Sequence, residues 1–398
     1  MADKLSILTR SAKTKIYIRS FTKLDGPNKG VDRMNYTVLG GKKISKVGIG
    51  GHYSKMEEGR FETSYAEVGR DEIKKRTKLM EQAFNAGINY FDTTWRNEVD
   101  MFSESIRPLG IRDQIHVNGM VLGSFTGSKA AGLSPEAYLD QWLDDRLSVI
   151  PGNHFDSFMI NAIEEGYDKN LCGELLEHLK KRKQNGDFSM IGFSCHNHLL
   201  ARQIADTFPE FELIMLAYNY KNRSFEDAFD GYKGNAFFVA MKPLIWYEYG
   251  IPFSKINQLP KAERLLNQEK DPHIASKAVA WNLKNPMIST CVCGINSQEE
   301  LDDLITAGST EWKEEYELSL KNYRTAIEAK NHLPFLLSAC LNGEENRRSF
   351  QFGLLNLAKA FNLPIEAIPL NKSDSDERLK KLQIFLLKEA ENRGLLNR

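Results

Sequence analysis

Short apolar runs alternate with longer amphipathic stretches from residue 47 to residue 307. The runs are rich in Val, Ile and Phe, which predicts buried strands, and the stretches repeat apolar positions at roughly the 3.6-residue period of a helix. The predicted strands are 47–50, 88–92, 115–122, 155–161, 188–194, 213–219, 237–244 and 287–293. The predicted helices are 72–84, one beginning at 101–106, 135–149, 174–184, 198–207, 225–229, 274–283 and 298–307.

Eight strand–helix units within about 260 residues predict an α/β fold of the (β/α)₈ barrel type. A doubly wound sheet is disfavoured, because the turn after the first strand reads GIGGHY from Gly48 to Tyr53 and lacks the third glycine of a dinucleotide-binding turn. Strand signals end near residue 310, and only helical patterns follow. The sequence therefore predicts a basic N-terminal arm (1–33), a barrel (34–308) and a helical C-terminal extension (309–398).

Composition narrows the classes of function. The 53 basic side chains balance 53 acidic ones over 398 residues, so no excess positive charge favours nucleic acid. No apolar run approaches the roughly 18 residues of a membrane span, and no secretory leader is apparent, so a cytoplasmic protein is expected. The five cysteines are odd in number and scattered, which favours reduced thiols over disulfides and predicts no metal site.

Polar residues end most of the predicted strands, where barrel enzymes carry their catalytic groups. Burying such groups without partners is costly, so together they predict a mouth that binds a small molecule. Trp246, Tyr247 and Tyr249 either line that mouth or pack their loop onto the barrel. The polar strand ends are His52 and Tyr53, Asp92, Asn118–Met120, Asn161, Ser194–Asn197, Tyr218 and Asn219, and Lys242, with Trp95 as a further pocket candidate.

Several short motifs, in their order along the chain, resemble motifs of the aldo-keto reductase family over about residues 34–308. They are YTVLG from Tyr36, GINYFDTT from Gly87 with Ser103-Glu104 after it, IGFS ending at Ser194, Tyr218-Asn219 with Arg223, and AMKPL from Ala240. The GFSxH and MKP forms are most similar to a bacterial branch whose helical C-terminal region often holds a ferredoxin-type iron–sulfur cluster. No such cluster is expected here, because the extension contains one cysteine, Cys340.

The resemblance implies hydride transfer from a nicotinamide, with a tyrosine as proton donor and a lysine, an aspartate and a histidine around it. Of these four groups this chain keeps only Asp92. Asn97 or Glu98 stands at the tyrosine position, Met120 at the lysine position and Asn161 at the histidine position. The catalytic set implied by the family is therefore degenerate in this chain.

The resemblance also implies NAD(P) as cofactor. Ser194, Asn197, Asn219 and Met241 fall at or next to nicotinamide contacts, and Gly294, Asn296 and Ser297 resemble the phosphate-binding turn. Glu300 stands where a cation would hold a 2′-phosphate, and an acid there repels one, so a preference for NADPH is not predicted.

Three hypotheses follow. In the first, the chain is an NAD(P)-linked carbonyl/alcohol oxidoreductase with Glu98 as proton donor, His52, Tyr53 or His196 as substitutes, and Lys242 as the partner of Asp92. In the second, it is a redox-neutral lyase, dehydratase or epimerase that uses Asp92, Glu98 and His196 as acid–base groups. In the third, it is a non-catalytic binding or assembly protein, with the C-terminal helices as the contact to an oligomer or partner protein.

Overall fold

The computed structural model describes residues 34–51, 70–123, 125–161, 167–220, 222–244, 273–328, 383–388 and 392. The predicted basic arm, most of the predicted extension and the pocket candidates His52, Tyr53, Trp246 and Tyr247 lie outside these residues. Among the described helices, none has the length and apolarity to cross a membrane.

The strands form a closed eight-stranded parallel barrel and a separate two-stranded hairpin, which confirms the predicted (β/α)₈ architecture. The order around the barrel is β10-β3-β4-β5-β6-β7-β8-β9. The strands are β1 (Tyr36–Leu39), β2 (Lys42–Ser45), β3 (Val47–Gly50), β4 (Tyr90–Asp92), β5 (His116–Val121), β6 (Phe155–Ile160), β7 (Phe188–Cys195), β8 (Leu213–Ala217), β9 (Phe237–Met241) and β10 (Ile288–Cys293).

Helices follow the barrel strands and cover their outer face. They are α1 (Arg70–Asn85), α2 (Arg96–Ile106), α3 (Gly127–Ala131), α4 (Pro135–Leu147), α5 (Lys169–Gln184), α6 (His198–Thr207), α7 (Ser224–Ala228), α8 (Ile274–Lys284), α9 (Gln298–Ser309) and α10 (Glu315–Glu328). Helix α2 begins at Arg96, which corrects the predicted start at residue 101. Its first turn is polar, so apolar periodicity could not reveal it.

The hairpin of β1 and β2 closes the amino-terminal end of the barrel. Its Leu39 and Ile44 are buried against side chains that point inward from the barrel strands. Those inward residues are Tyr90, Met120, Met159, Leu213, Met215, Phe237, Val239 and Val292. The barrel is thus a packed core from this end upward, so a site inside the barrel is expected at the carboxyl ends of the strands.

Candidate active site

Polar side chains from five strands meet at the carboxyl end of the barrel, which we call the mouth. Parallel strands bring their last residues to one edge, so positions far apart in the sequence become neighbours. Asp92, Ser194 and Asn219 are buried there. Asn161, His196 and Lys242 are half-buried. The mouth therefore combines a buried polar floor with a rim that solvent and substrate can reach.

Asp92 is held from the neighbouring strand. It pairs in register with Asn118 of β5, and the Asn118 amide nitrogen donates to the Asp92 carboxylate at 2.6 Å. Asn118 in turn pairs with Ser157 of β6, whose hydroxyl donates to the Asn118 amide oxygen at 2.7 Å. A row of polar side chains at one level of the barrel thus fixes the aspartate.

Met120 and Asn161 touch each other at the positions where the resemblance implied a lysine and a histidine. The Asn161 amide donates to the Met120 sulfur at 3.0 Å. A thioether is a weak acceptor and an amide does not titrate near neutral pH, so this pair can orient a substrate but cannot exchange protons with it.

Lys242 and His196, which we call the rim pair, lie at the ends of β9 and β7. The Lys242 ammonium nitrogen is 2.9 Å from His196 Nε2. Lys242 has a backbone φ of 55°, a left-handed conformation that is uncommon for a side chain of this kind. The Asn219 amide donates to the Lys242 carbonyl at 3.0 Å and so braces that turn. Strained backbone of this sort is found at functional sites more often than elsewhere.

The structure thus brings Lys242 to His196, whereas the sequence hypothesis paired it with Asp92. The hydrogen bond of Asp92 with a described residue goes to Asn118 on β5. The order of the strands explains the difference. Two strands, β3 and β10, separate β4 from β9 in the barrel, whereas only β8 stands between β7 and β9.

Glu98 is placed as a helix cap. It is only 3% exposed, and its carboxylate accepts from the backbone nitrogens of Thr94 at 2.8 Å and Trp95 at 3.2 Å. This is the carboxylate half of a capping box, since the N-cap residue Trp95 has no side-chain acceptor to complete it. Glu98 therefore holds the start of α2, and its position does not suit the proton donor that the first hypothesis made of it.

Arginines surround that carboxylate. Arg76 of α1 is 3% exposed and Arg146 of α4 is 4% exposed, and Glu98 interacts electrostatically with both. Burial lowers the pKa of each guanidinium to about 10, against the opposing effect of nearby carboxylates. A cavity of about 10 Å³ beside Asp92, Arg76 and Glu98 has room for roughly one water and not for a substrate.

The turn after β10 also has a carboxylate that accepts from the backbone at the start of a helix. Ser297 Oγ accepts from the Glu300 nitrogen at 3.2 Å, and the Glu300 carboxylate accepts from the Asn296 nitrogen at 2.6 Å. Arg76 donates to the Ile295 carbonyl and interacts with Glu300. Burial raises the pKa of Glu300. We call Arg76, Glu98 and Glu300 the cap cluster.

The residues predicted for the nicotinamide are partly engaged by the protein itself. Asn197 caps α6 by accepting from the Leu200 nitrogen at 3.1 Å. Asn219 is fully buried, donates to Lys242 and accepts from the Asn222 nitrogen at 2.9 Å. Met241 packs with the apolar barrel interior. Ser194 is buried at the end of β7, and Gly294 is buried beyond β10.

Two other predicted residues flank α2. Asn97 is 5% exposed, and neither polar atom of its side chain has a hydrogen-bond partner in the described part of the chain. Trp95 is half-buried with its ring 6.5 Å from that of Trp142.

Sequence reasoning missed Ser157, His116 and Arg76. Ser157 and His116 occupy inward-facing positions of strands that are otherwise apolar. A polar residue at a position whose side chain faces the barrel interior was the signal that could have revealed them. Arg76 had no such signal, because a lone arginine on an amphipathic helix ordinarily faces solvent.

Comparison with known proteins supports the fold. No protein-family model and no curated protein sequence matches the chain. An aldo-keto reductase from Klebsiella pneumoniae in complex with NADPH has a TM-score of 0.52 at 16% identity, covering 71% of this chain and 92% of its own. Another structure of such an enzyme from that organism, with NADP and acetate, has a TM-score of 0.52 at 14% identity, with 74% and 96% covered.

A third match is the apo form of an aldo-keto reductase from Bacillus halodurans, with a TM-score of 0.50 at 18% identity, covering 74% of this chain and 97% of its own. At these identities the likeness concerns the fold. The chain therefore shares the (β/α)₈ barrel fold of these enzymes.

The donors at the mouth fit a nicotinamide dinucleotide in part. Ser194 and the backbone of the Gly294–Ser297 turn offer the donors that a carboxamide and a diphosphate need. The 2′-phosphate of NADP(H) fits poorly, because the Glu300 carboxylate bonds to that turn and Glu72 and Glu98 lie near the same Arg76.

Proposed function

We propose that this chain is a nicotinamide-linked oxidoreductase that interconverts a small carbonyl compound and its alcohol, with Lys242 as the proton donor. The observation that carries the proposal is the rim pair, in which Lys242 Nζ lies 2.9 Å from His196 Nε2 at the mouth. The shared barrel fold of NADP-bound aldo-keto reductases supports the reaction class.

The contact within the rim pair constrains its protons. One of the two nitrogens must present a lone pair, so both cannot be protonated at this distance. An imidazole is ordinarily the weaker base, so Lys242 is the donor and His196 the acceptor. An ammonium has three N–H groups, and the bond to His196 uses one of them.

The step then balances as follows. A reduced nicotinamide, which Ser194 and the Gly294–Ser297 turn would hold, would supply the hydride that the carbonyl carbon takes up. As the electron pair of the C=O π bond moves to oxygen, Lys242 gives that oxygen a proton and becomes a neutral amine. Lys242, half-buried at the rim, then takes up a proton from solvent, and its ammonium again donates to His196 Nε2. Asp92 lies across the mouth as an acceptor for a hydroxyl of the substrate.

The experiment is a binding titration followed by turnover. We expect NADH to bind in calorimetry below millimolar concentration, and to be oxidised with one or more members of a panel of small aldehydes and ketones. Lys242→Ala is expected to lower kcat at least 100-fold, the scale of general acid catalysis, with dinucleotide affinity retained. Lys74→Ala, an exposed lysine of α1, is the matched control. Failure of both NADH and NADPH to bind would overturn the proposal.

The cap cluster favours a second candidate, a redox-neutral acid–base enzyme on the same barrel. Glu300 caps α9 and makes the phosphate corner acidic, which is unfavourable for any phosphate-bearing cofactor. If neither dinucleotide binds, turnover of hydroxylated substrates that depends on His196 and Lys242 would identify this candidate. Absence of turnover as well would favour a binding protein.

A further inference from the structure

Four polar side chains follow one another through the interior of the barrel on its β4–β6 side. They are His116, Ser157, Asn118 and Asp92, and we call them the interior relay. All four are buried, with exposures of 2%, 0%, 0% and 9%. His116 and Asn118 are two residues apart on β5, so both point inward, and Asn118 lies at the level of Ser157 and Asp92.

Successive contacts in the relay are all of hydrogen-bond length. His116 Nε2 lies 2.9 Å from Ser157 Oγ. Ser157 Oγ lies 2.7 Å from the Asn118 amide oxygen, and the Asn118 amide nitrogen lies 2.6 Å from Asp92 Oδ1. The chain of contacts runs from the amino-terminal end of β5 to the mouth without a gap.

Donor and acceptor chemistry gives the relay one direction. An ionised carboxylate only accepts, so the nitrogen of the Asn118 amide must face Asp92 and its oxygen must face Ser157. Ser157 has one hydroxyl proton, which it gives to that oxygen. The remaining contact of Ser157 then requires His116 to donate, which makes His116 the Nε2–H tautomer.

We propose that His116, Ser157 and Asn118 are positioning residues for Asp92, forming a chain of hydrogen bonds with one direction that holds the Asp92 carboxylate as an acceptor at the mouth. This rests on the proposed function for its use in catalysis, while its direction is a property of the resting protein. If Asp92 carried a proton on Oδ1, the oxygen that faces Asn118, it would donate to the amide oxygen, every bond in the relay would reverse, and His116 would accept at Nε2.

Packing alone does not account for the relay. Other inward positions of the same barrel hold Met120, Met159 and Met215, so apolar side chains fill this interior without difficulty. A buried polar row is costly unless every member is satisfied. We therefore attribute the buried polar row to its effect on the Asp92 carboxylate at the mouth.

Charged groups lie near both ends of the relay. Arg76 and Glu98 line the small cavity beside Asp92, and Tyr90 lies below it. Near His116 are Asp156, Lys42, Arg112 and His154. The experiments therefore measure the direction of the hydrogen bonds in the relay as well as the protonation of His116.

The first test is the protonation of His116 in the unmodified protein, measured by long-range proton–nitrogen NMR with ¹⁵N-histidine. His116→Gln assigns the signal among the 8 histidines. We expect a neutral ring with its proton on Nε2 at pH 7. A proton on Nδ1 alone, or an imidazolium at pH 6, would overturn the proposal. This result does not depend on any substrate or cofactor, so it stands apart from failure of the proposed function.

The second test breaks the relay at Ser157. We expect Ser157→Ala to speed hydrogen exchange of the Asn118 side-chain amide about tenfold, since it loses one bond worth about 1.4 kcal/mol. Ser157→Thr, which keeps the hydroxyl, should restore the slow exchange. With a substrate identified, Ser157→Ala should lower kcat with KM unchanged. Equal exchange in the wild type and Ser157→Ala, or no rescue by threonine, would reject the relay.

Discussion

The cap cluster and the rim pair both place charged side chains at the carboxyl edge of the barrel, but their surroundings differ. Arg76, Glu98 and Glu300 are at most 4% exposed, and both carboxylates bond to backbone nitrogens at helix starts. His196 and Lys242 are half-buried and bond to each other.

The difference separates charges that build the fold from charges that are available for chemistry. A carboxylate already bonded to two backbone donors has little freedom to exchange a proton, and moving it would release a helix terminus. In the proposed mechanism, the lysine held in a left-handed turn next to a histidine gives its proton to the substrate. Proximity to the mouth alone does not distinguish the two cases.

The largest expected effect is on the cap cluster. Arg76→Met removes the cation between Glu98 and Glu300 and leaves buried carboxylates uncompensated, so the free energy of unfolding should fall by about 3–5 kcal/mol. Guanidinium denaturation measures it. Lys74→Met, on the exposed face of the same helix, should cost under about 0.5 kcal/mol. Similar losses for the two variants would mean that the cluster is not structural.

Much of the fold was predictable from local pattern. The alternation of apolar runs and amphipathic helices predicted the barrel strands to within a few residues, because burial dominates their composition. Strand 237–244 was predicted too long, since the chain leaves the sheet at Met241 and Lys242 adopts its left-handed turn. No local pattern encodes such a turn in a lysine.

The site was less predictable, for a physical reason. Position after a strand indicated which residues reach the mouth, but not which partner each one meets there. Glu98 was expected to be an acid because of its loop, whereas its bonds are to its own backbone. Lys242 was expected at Asp92, but its partner depends on the order of strands around the barrel.

The second-largest expected effect is a pH dependence of the free energy of unfolding that comes from the buried His116. Burial lowers the pKa of His116 from 6.5 to about 4. The unfolded chain therefore binds more protons than the folded one in that interval, so stability present above pH 6.5 is lost as the pH falls toward 4. The loss should be about 3 kcal/mol.

His116→Phe, which keeps a ring stacked on Tyr90, should lack this component. Denaturation of both proteins from pH 7 to pH 4 measures the difference. Parallel stability curves would show that His116 is not held neutral by burial.

A third, smaller effect concerns the influence of Glu300 on the affinity for NADPH relative to NADH. Glu300→Gln keeps a residue that completes a capping box and removes the negative charge. We expect the affinity for NADPH relative to NADH to rise about tenfold. Calorimetry with both dinucleotides measures it, and the exposed neighbour variant Glu299→Gln should leave the ratio unchanged. An unchanged ratio in Glu300→Gln would separate Glu300 from cofactor choice.

The smallest expected effect tests whether the rim pair is strained. Lys242 has a φ of 55°, where a Cβ atom is unfavourable and glycine is not. Lys242→Gly and Lys242→Ala both remove the contact with His196, but we expect the glycine variant to be more stable by about 1 kcal/mol. Equal stability in thermal denaturation would argue against the left-handed turn. A glycine variant that gains stability and loses turnover would show that the strain is kept for the position of the lysine.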